Sequence, residues 1–358
     1  MNNFFSKIIA RVLESVSTDI GIDLGTANTL VYIKGKGVVL NEPTIVAVNK
    51  KTGQLVAVGN DAKTMLGRTP AHIEVIRPLV DGVISDFEMT EEMLSYLISK
   101  VREGTRTLIA PRVLVGVPSG ITNVEMRAAR DAVLNAGARE VFLIEEPVAA
   151  AIGSKLPVHK AQGSMIIDIG GGTTDIAVIS LSGIVTSRNI KVAGDKLNQE
   201  IVTYIRDQFK VLVGDKTAEE TKIVLASVEA EDEAKELVVR GRDVVTGLPR
   251  EVVITSTDVR QAIAPSIHSI VEAVRDVIER TPPEVLSDVM QRGIYLSGGG
   301  ALIPGVGALL EEILKVPVIV VPDPLRAVIR GNGMVLENME AYAELLIEKE
   351  GELSPQLS

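Results

Sequence analysis

The sequence has 358 residues, 46% apolar and 23% charged, an ordinary globular composition that excludes global disorder and is long enough for two domains. It contains no cysteine, which excludes disulfide frameworks, thiol catalysis and cysteine-ligated metals and fits a reducing compartment. The three histidines, His72, His159 and His268, lack ligand spacing, and a net charge of −10 without a dense basic tract argues against nucleic acid as a partner.

In chain order, the first predicted element is a helix in "MNNFFSKIIARVLESVS". Phe4, Phe5, Ile8, Ile9, Val12 and Leu13 recur at helical spacing, with Lys7 and Arg11 between them. The segment has neither the apolar core nor the cleavage site of a signal peptide, and no run in the chain reaches the roughly 18 apolar residues of a spanning helix. One reading packs this helix on the body of the protein. The favoured one lays its apolar face on a bilayer surface, with the cations meeting anionic head groups.

From Asp19 the pattern becomes strand and hairpin, with glycine turns in "TLVYIKGKGVVL" and "TIVAVNKKTGQLVAV". A helix is predicted from Thr90 to about Val101, burying Met93, Leu94, Leu97, Ile98 and Val101. "RVLVGVPSG" reads as a buried strand, and Thr122 to Glu125 as a capping box opening the next helix. "VFLIEEPVAAAIG" is a strand running directly into a helix. The second half restarts with a strand at Met165, then helices over Leu197–Lys210 and from the Thr217-x-x-Glu220 pattern. A hairpin in "ELVVRGRDVVTGLPREVVIT", a long helix from Asp258 to about Arg280, and a strand, glycine turn and helix in "GIYLSGGGALIPGVGALLEEIL" follow. After Glu337 a final helix with an acidic, solvated end is expected. Alternating strands and helices imply an α/β architecture.

The chemistry concentrates in a device that occurs twice. "IGIDLGTANTLVYI" and "MIIDIGGGTTDIAVI" each run from an apolar strand through Asp-x-Gly and hydroxyl residues into a second strand. Asp23 overlays Asp168, Gly25 overlays Gly170, and Asn28-Thr29 overlays Thr173-Thr174, with 145 residues between the copies. Such spacing suggests two domains facing one shared ligand. Gly25 and Gly170, Gly171 and Gly172 let backbone N–H groups approach phosphate oxygens, while Thr26, Asn28, Thr29, Thr173 and Thr174 add side-chain donors. The aspartates repel phosphate but suit the water shell of a bridging Mg²⁺. A Walker loop and a dinucleotide fingerprint are both missing. Glu146, at a strand-to-helix junction, is either the group that orders a water for in-line attack or a first-turn acid favoured by the helix dipole. Gly298, Gly299 and Gly300 form either a platform for a base or a tight turn.

The ordered set Asp23-Leu-Gly-Thr, Glu146-Pro, Asp168-Ile-Gly-Gly-Gly-Thr-Thr-Asp175 and Ser297-Gly-Gly-Gly300 resembles the nucleotide site of the superfamily joining actin, heat-shock chaperone ATPases and sugar kinases. Within it, "DIGIDLGTANTLVY", "NEPTIVAV", "VGVPSGIT", "EEPVAAAIG" and "GSMIIDIGGGTTDIAVISLSGIV" resemble the MreB family, the bacterial actins of rod-shaped cells, from about Asp19 to Glu344. The resemblance implies an actin-like ATPase fold: two duplicated RNase H-like domains with smaller inserted subdomains around a nucleotide cleft. Residues 1–18 would be the membrane helix. Residues 19–158 would form the first domain, with an insert at about 43–81 and completion by helices in 326–350. Residues 159–325 would form the second, with an insert at about 194–256, leaving 351–358 as a tail.

The same resemblance implies ATP or ADP with Mg²⁺ as ligands. Asp23 and Asp168 would hold the hydrated metal, Glu146 and Thr173 would orient the attacking water, and Asp175 would support that water or the metal shell. Gly25, Thr26, Ala27, Asn28 and Gly170 to Thr173 would bind phosphates. Gly194, Asp195, Glu219 and Lys222 would contact ribose or adenine, and Gly298 to Gly300 would cover the base. Glu219 and its neighbour Glu220 compete for that contact. Leu108 and Ile109 in "RTLIAPR", flanked by Arg106 and Arg112, would dip into the bilayer, although two apolar residues entering a strand would look the same. Expected partners are further copies of the chain, the inner face of the cytoplasmic membrane, and transmembrane cell-wall synthesis and shape proteins, but not nucleic acid. "LRAVIRGNGMVLEN" departs from the family pattern at Arg330 and Asn332. A chaperone ATPase is disfavoured because no β-rich peptide-binding domain is in evidence, and a sugar kinase because no polar substrate pocket is. A divisome adaptor like FtsA would carry its amphipathic helix at the other end.

Overall fold

The computed structural model describes residues 18–103, 109–229 and 234–347. They form two compact units, one running to Val158 and resuming at Arg326, the other spanning His159–Leu325.

The first unit contains β1 (Ile20–Leu24), β2 (Asn28–Ile33), β3 (Gly37–Pro43), β4 (Val46–Asn49), β5 (Leu55–Val58), β6 (Ile73–Ile76), β7 (Leu79–Val80), β8 (Val83–Ile84), β9 (Arg112–Val117) and β10 (Glu140–Glu145). Its main sheet has the order β3-β2-β1-β9-β10, antiparallel across β1, β2 and β3 and parallel from β1 through β9 to β10. Successive side chains of a strand point to opposite faces, so the pattern of β1 divides its residues cleanly. Ile20, Ile22 and Leu24 enter the core with Val113, Val115 and the helix Phe87–Glu103. That helix buries Met93, Leu94, Leu97, Ile98 and Val101, as its spacing predicts, but it starts at Phe87 and not at Thr90, because Asp86 Oδ1 accepts from Met89 N–H in its first turn. Gly21 lies on the other face, where a Cβ would meet Asn332 Cβ and Leu336 Cδ1 at 3.2 Å on the helix Ala327–Glu337. A smaller sheet, β5-β4-β6, carries the helix Asn60–Met65.

The second unit contains β11 (Ser164–Ile169), β12 (Thr174–Ser180), β13 (Gly183–Ile190), β14 (Val211–Leu212), β15 (Glu236–Asp243), β16 (Pro249–Thr255), β17 (Ile294–Ser297) and β18 (Val318–Val320). Its main sheet runs β13-β12-β11-β17-β18, antiparallel over the first three strands and parallel over the last three. Order and direction therefore repeat those of the first unit. Met165, Ile167, Ile169, Ile176 and Val178 pack with Val259, Ile263, Ile267, Ile270 and Val274 of the helix Ser256–Arg280. A second small sheet, β14-β15-β16, belongs to this unit.

Among the described residues, reciprocal side-chain caps open two of the helices. Thr122 and Glu125 form the expected capping box ahead of Asn123–Asn135. The long helix starts at Ser256, ahead of Asp258, because Thr255 and Asp258 also make a reciprocal cap. Three expectations need correction. Thr217 does not open a helix: Gly214 is the N-cap of Asp215–Leu225, and the Thr217 carbonyl already accepts from Thr221 Oγ1. The helix expected at Leu197 begins at Gly194, ends at Tyr204 and passes through a π-helical turn, Ile205–Phe209, to a left-handed Lys210. Beyond Glu337 the helix stops at Asn338, and the described residues form a short turn, Ala343–Leu345, before the Ile347 N–H donates to Leu143 O beside β10.

Candidate functional site

In the first unit the acidic turn joins β1 to β2. A Cβ on Gly25 would come 2.8 Å from Asn28 O, so this turn closes only around glycine. Thr44 holds it from one side: its hydroxyl donates to Gly25 O at 2.6 Å and its N–H to Ala27 O at 3.0 Å. With that proton committed, the buried Thr29 hydroxyl donates to Thr44 Oγ1 at 2.9 Å. In a trans peptide the N–H points opposite its carbonyl, so the N–H groups of Thr26 and Asn28 are turned away from Thr44. Thr26 Oγ1 accepts from Gly82 N–H at 2.9 Å, which anchors the β7–β8 turn and leaves the hydroxyl proton to donate.

The second unit repeats the construction with different partners. Gly170 N–H closes the turn on Thr173 O at 2.9 Å, where a Gly170 Cβ would approach to 3.2 Å. Gly170 O accepts from Gly194 N–H at 3.2 Å and Gly171 O from Asp195 N–H at 2.8 Å. The N–H groups of Gly171 and Gly172 consequently face away from the Gly194–Tyr204 helix. Thr174, the counterpart of Thr29, donates to Val192 O at 2.6 Å. Both units thus present the same device, a glycine turn with its carbonyls tied back and its N–H groups directed elsewhere.

Charge differs between the copies. Asp23 lies opposite Leu30, whereas Asp168 lies opposite Asp175, so the second unit carries a buried pair of acids where the first carries a single, half-buried one. Ser297 Oγ donates to Asp168 Oδ1 at 2.6 Å and Asn189 Nδ2 to Asp175 Oδ2 at 2.9 Å. Burial pushes the Asp168 carboxyl up to about 6; the Ser297 hydrogen bond opposes this and the nearby Asp175 charge adds to it. In the parallel neighbour strand, Ser297 occupies the row of Asp168, and Gly116 the row of Asp23.

Glu146 is the first residue of the helix Glu146–Gly153 and is only 8% exposed, so it is no solvated first-turn acid. Its Cγ would lie 3.4 Å from a Cβ on Gly116, beside Asn332 Nδ2 at 3.6 Å from the same point. Arg330 Nε donates to Gly153 O at 3.2 Å, and a Cβ on Gly331 would collide with Ala149 O. The unusual stretch around Arg330 therefore packs backbone to backbone on the Glu146 helix.

The run Gly298 to Gly300 has a packing explanation for two of its members. Gly298 has φ +81° and donates to Pro324 O at 3.1 Å, while a Cβ on Gly300 would collide with Ile169 Cγ2 at the end of β11. Gly299 is exposed, with Leu325 Cδ2 at 3.5 Å from its missing Cβ. Lys222 Nζ donates to Gly194 O at 2.9 Å, which brings Lys222, Gly194, Asp195, Gly170 and Gly171 together. Glu219 is half-buried and lies on the face of Lys222, three residues away; Glu220 is exposed and pairs with Lys216 at 3.9 Å.

Phe4, Phe5, Ile8, Ile9, Val12 and Leu108 lie outside the described residues, and Ile109 is half-buried at a bend before β9. Among the described residues no helix is long and apolar enough to cross a membrane. The sequence reading missed Thr44, Asn189 and Gly116. No local signal marks their roles, because each is set by strand register across the sheet.

Comparison with known proteins gives a consistent picture. The MreB/Mbl protein family model matches residues 17–344. The cell shape-determining protein Mbl of Bacillus subtilis is 50% identical over 323 residues, covering 90% of this chain and 96% of that protein. The cell shape-determining protein MreB of Escherichia coli is 48% identical over 338 residues, covering 93% and 97%. Among solved structures, MreB5 of Spiroplasma citri bound to ADP superimposes with a TM-score of 0.86 at 38% identity, covering 92% of this chain and 98% of that one; its AMPPNP complex gives 0.85. With a family match across nearly its whole length and two sheets of one repeated topology, this chain belongs to the MreB/Mbl family and has the actin-like fold.

Proposed function

We propose that the chain binds ATP and ADP with Mg²⁺, hydrolyses ATP, and assembles with copies of itself into filaments on the inner face of the cytoplasmic membrane. There it would organise cell-wall synthesis and maintain rod shape through transmembrane partners. The observation that carries this reading is the duplicated acidic glycine turn, which in both units directs backbone N–H groups away from the packing that holds it. The relatives' role in cell shape and the nucleotides bound by the Spiroplasma protein support it.

In this reading Thr26, Ala27, Asn28 and Gly171 to Thr173 hold phosphate oxygens, with Gly25 and Gly170 shaping the two turns. Asp23 and Asp168 hold the water shell of Mg²⁺. Single carboxylates of this kind suit a cation met through its water shell. The cation would neutralise phosphate charge. Burial that raises the Asp168 carboxyl is offset by such a neighbour, so the donor set suits it. Glu146 and Thr173 orient the attacking water, and Asp175, held by Asn189, supports it. Gly194, Asp195, Glu219 and Lys222 meet ribose or adenine, with Gly298 to Gly300 over the base.

Filament growth needs only a head-to-tail contact that does not close. Each subunit's Phe4, Phe5, Ile8, Ile9 and Val12, with Leu108 and Ile109, would bind lipid weakly, and the polymer would multiply that attachment. The test is nucleotide binding and phosphate release by Glu146→Gln. Binding should persist while release falls by roughly 10²- to 10⁴-fold; unchanged release would remove Glu146 from the mechanism.

A further inference from the structure

Thr29 and Thr44 are sealed inside the first unit, 0% and 1% exposed, and their hydroxyls run in series. Thr44 Oγ1 donates to Gly25 O at 2.6 Å, and Thr29 Oγ1 lies 2.9 Å from Thr44 Oγ1. Proton count sets the direction: Gly25 O can only accept, so Thr44 commits its one proton there and Thr29 supplies the other bond. The Thr29 proton, expected from the sequence to meet phosphate, is thus committed behind the turn.

Thr44 stands between two anchored residues. The Glu42 carboxylate accepts from Asn60 N–H at 3.0 Å, from Asn60 Nδ2 at 2.7 Å and from Lys100 Nζ at 3.0 Å. On the other side Ile45 O accepts from Gly59 N–H at 2.9 Å, and the Thr44 N–H itself is tied to Ala27 O at 3.0 Å. A hydroxyl on this segment is held at a set place against the turn. The second unit does the same work with backbone: Gly170 O and Gly171 O accept from the N–H groups of Gly194 and Asp195, and Thr174 donates elsewhere, to Val192 O. The first turn therefore depends on a side chain where the second does not.

We propose that Thr44, with Thr29 behind it, is a positioning residue for nucleotide binding: its hydroxyl fixes the plane of the Gly25–Thr26 peptide and so aims the Thr26 N–H at a phosphate oxygen. Neither hydroxyl touches the ligand. The inference rests on the reading of the first turn as a phosphate site.

Thr44→Val keeps the shape of the side chain and the backbone bond to Ala27 O but removes the hydroxyl. It should weaken Mg·ATP and Mg·ADP binding about tenfold in a calorimetric titration. The lost ordering serves ground and transition states alike, so KM should rise in step while kcat stays within about twofold. Thr44→Ser, which restores the hydroxyl, should recover the wild-type affinity. Thr29→Val should act only through Thr44, weakening binding about threefold by itself and adding nothing to Thr44→Val.

Gly25→Ala, whose Cβ would come 2.8 Å from Asn28 O, reports on the turn itself. If it weakens binding while Thr44→Val does not, or if Thr44→Ser binds as poorly as Thr44→Val, the inference is wrong. If Gly25→Ala binds normally, the first turn is not the phosphate site and the reading beneath fails instead. Should Thr44→Val fail to fold, Thr29→Val still decides, because unchanged affinity there would break the series of hydroxyls.

Discussion

Replacing Asp168 by asparagine tests the electrostatics of the second unit. Burial pushes this carboxyl up to about 6 from its ordinary 3.8. Because the folded value lies above the unfolded one, the folded protein binds the proton more tightly. Stability is therefore kept at low pH and lost as pH rises through about 4 to 6. The shift of about two pH units, at ~1.4 kcal/mol each, costs the nucleotide-free fold about 3 kcal/mol at pH 7.5 and about half of that at pH 5. Asparagine has the same shape, still accepts from Ser297 and cannot ionise. Asp168→Asn should thus stabilise the nucleotide- and metal-free protein, by more at pH 7.5 than at pH 5. A chain of two units need not unfold in one step, so the readout is hydrogen exchange of the β11 and β12 amides in chelator, corrected for intrinsic rates. Equal gains at both pH values, or a loss that is greater at pH 7.5, would refute the reasoning. With Mg²⁺ and nucleotide present the same variant should bind less tightly, read by titration.

The glycine run offers a contrast. Gly300→Ala should cost about 1–3 kcal/mol, read by hydrogen exchange of the β11 amides, because of its collision with Ile169, whereas Gly299→Ala should stay within about 0.5 kcal/mol. Asp19 is buried and receives two bonds from Arg112, Nε to Oδ1 at 3.0 Å and Nη2 to Oδ2 at 2.6 Å. Arg112→Ala should cost about 3 kcal/mol, since Lys34 at 3.9 Å is a poor substitute; hydrogen exchange of the β1 and β9 amides in the single and Asp19→Asn double variants measures the coupling. Deleting Met1 to Ser17 should leave nucleotide affinity unchanged and abolish binding to anionic vesicles; undiminished binding would move the attachment to Leu108 and Ile109.

The turns were legible in the sequence because their demands are local. Gly25 leaves no room for a Cβ beside Asn28 O and Gly170 has only a tight space beside Thr173 O, and those requirements leave a visible pattern. The helix Phe87–Glu103 was legible because five buried positions repeat at its period. Thr217 misled because a capping pattern inside a helix looks the same as one at its start, and only the extended Gly214 decides. Arg330 and Asn332 stood out as irregular, but their partners, Gly153 O and Ile22 O, lie 177 and 310 residues away. Likewise, that Gly116 faces the row of Asp23 follows from parallel pairing of β1 with β9, which no local pattern encodes.

The central claim is that nucleotide binding and membrane-bound polymerisation belong to one molecule. Co-sedimentation of the full chain with anionic liposomes, with and without Mg·ATP, followed by electron microscopy of the pellet, tests it most directly. The account predicts filaments on lipid in the presence of Mg·ATP. A monomer that hydrolyses ATP yet stays in the supernatant would contradict it.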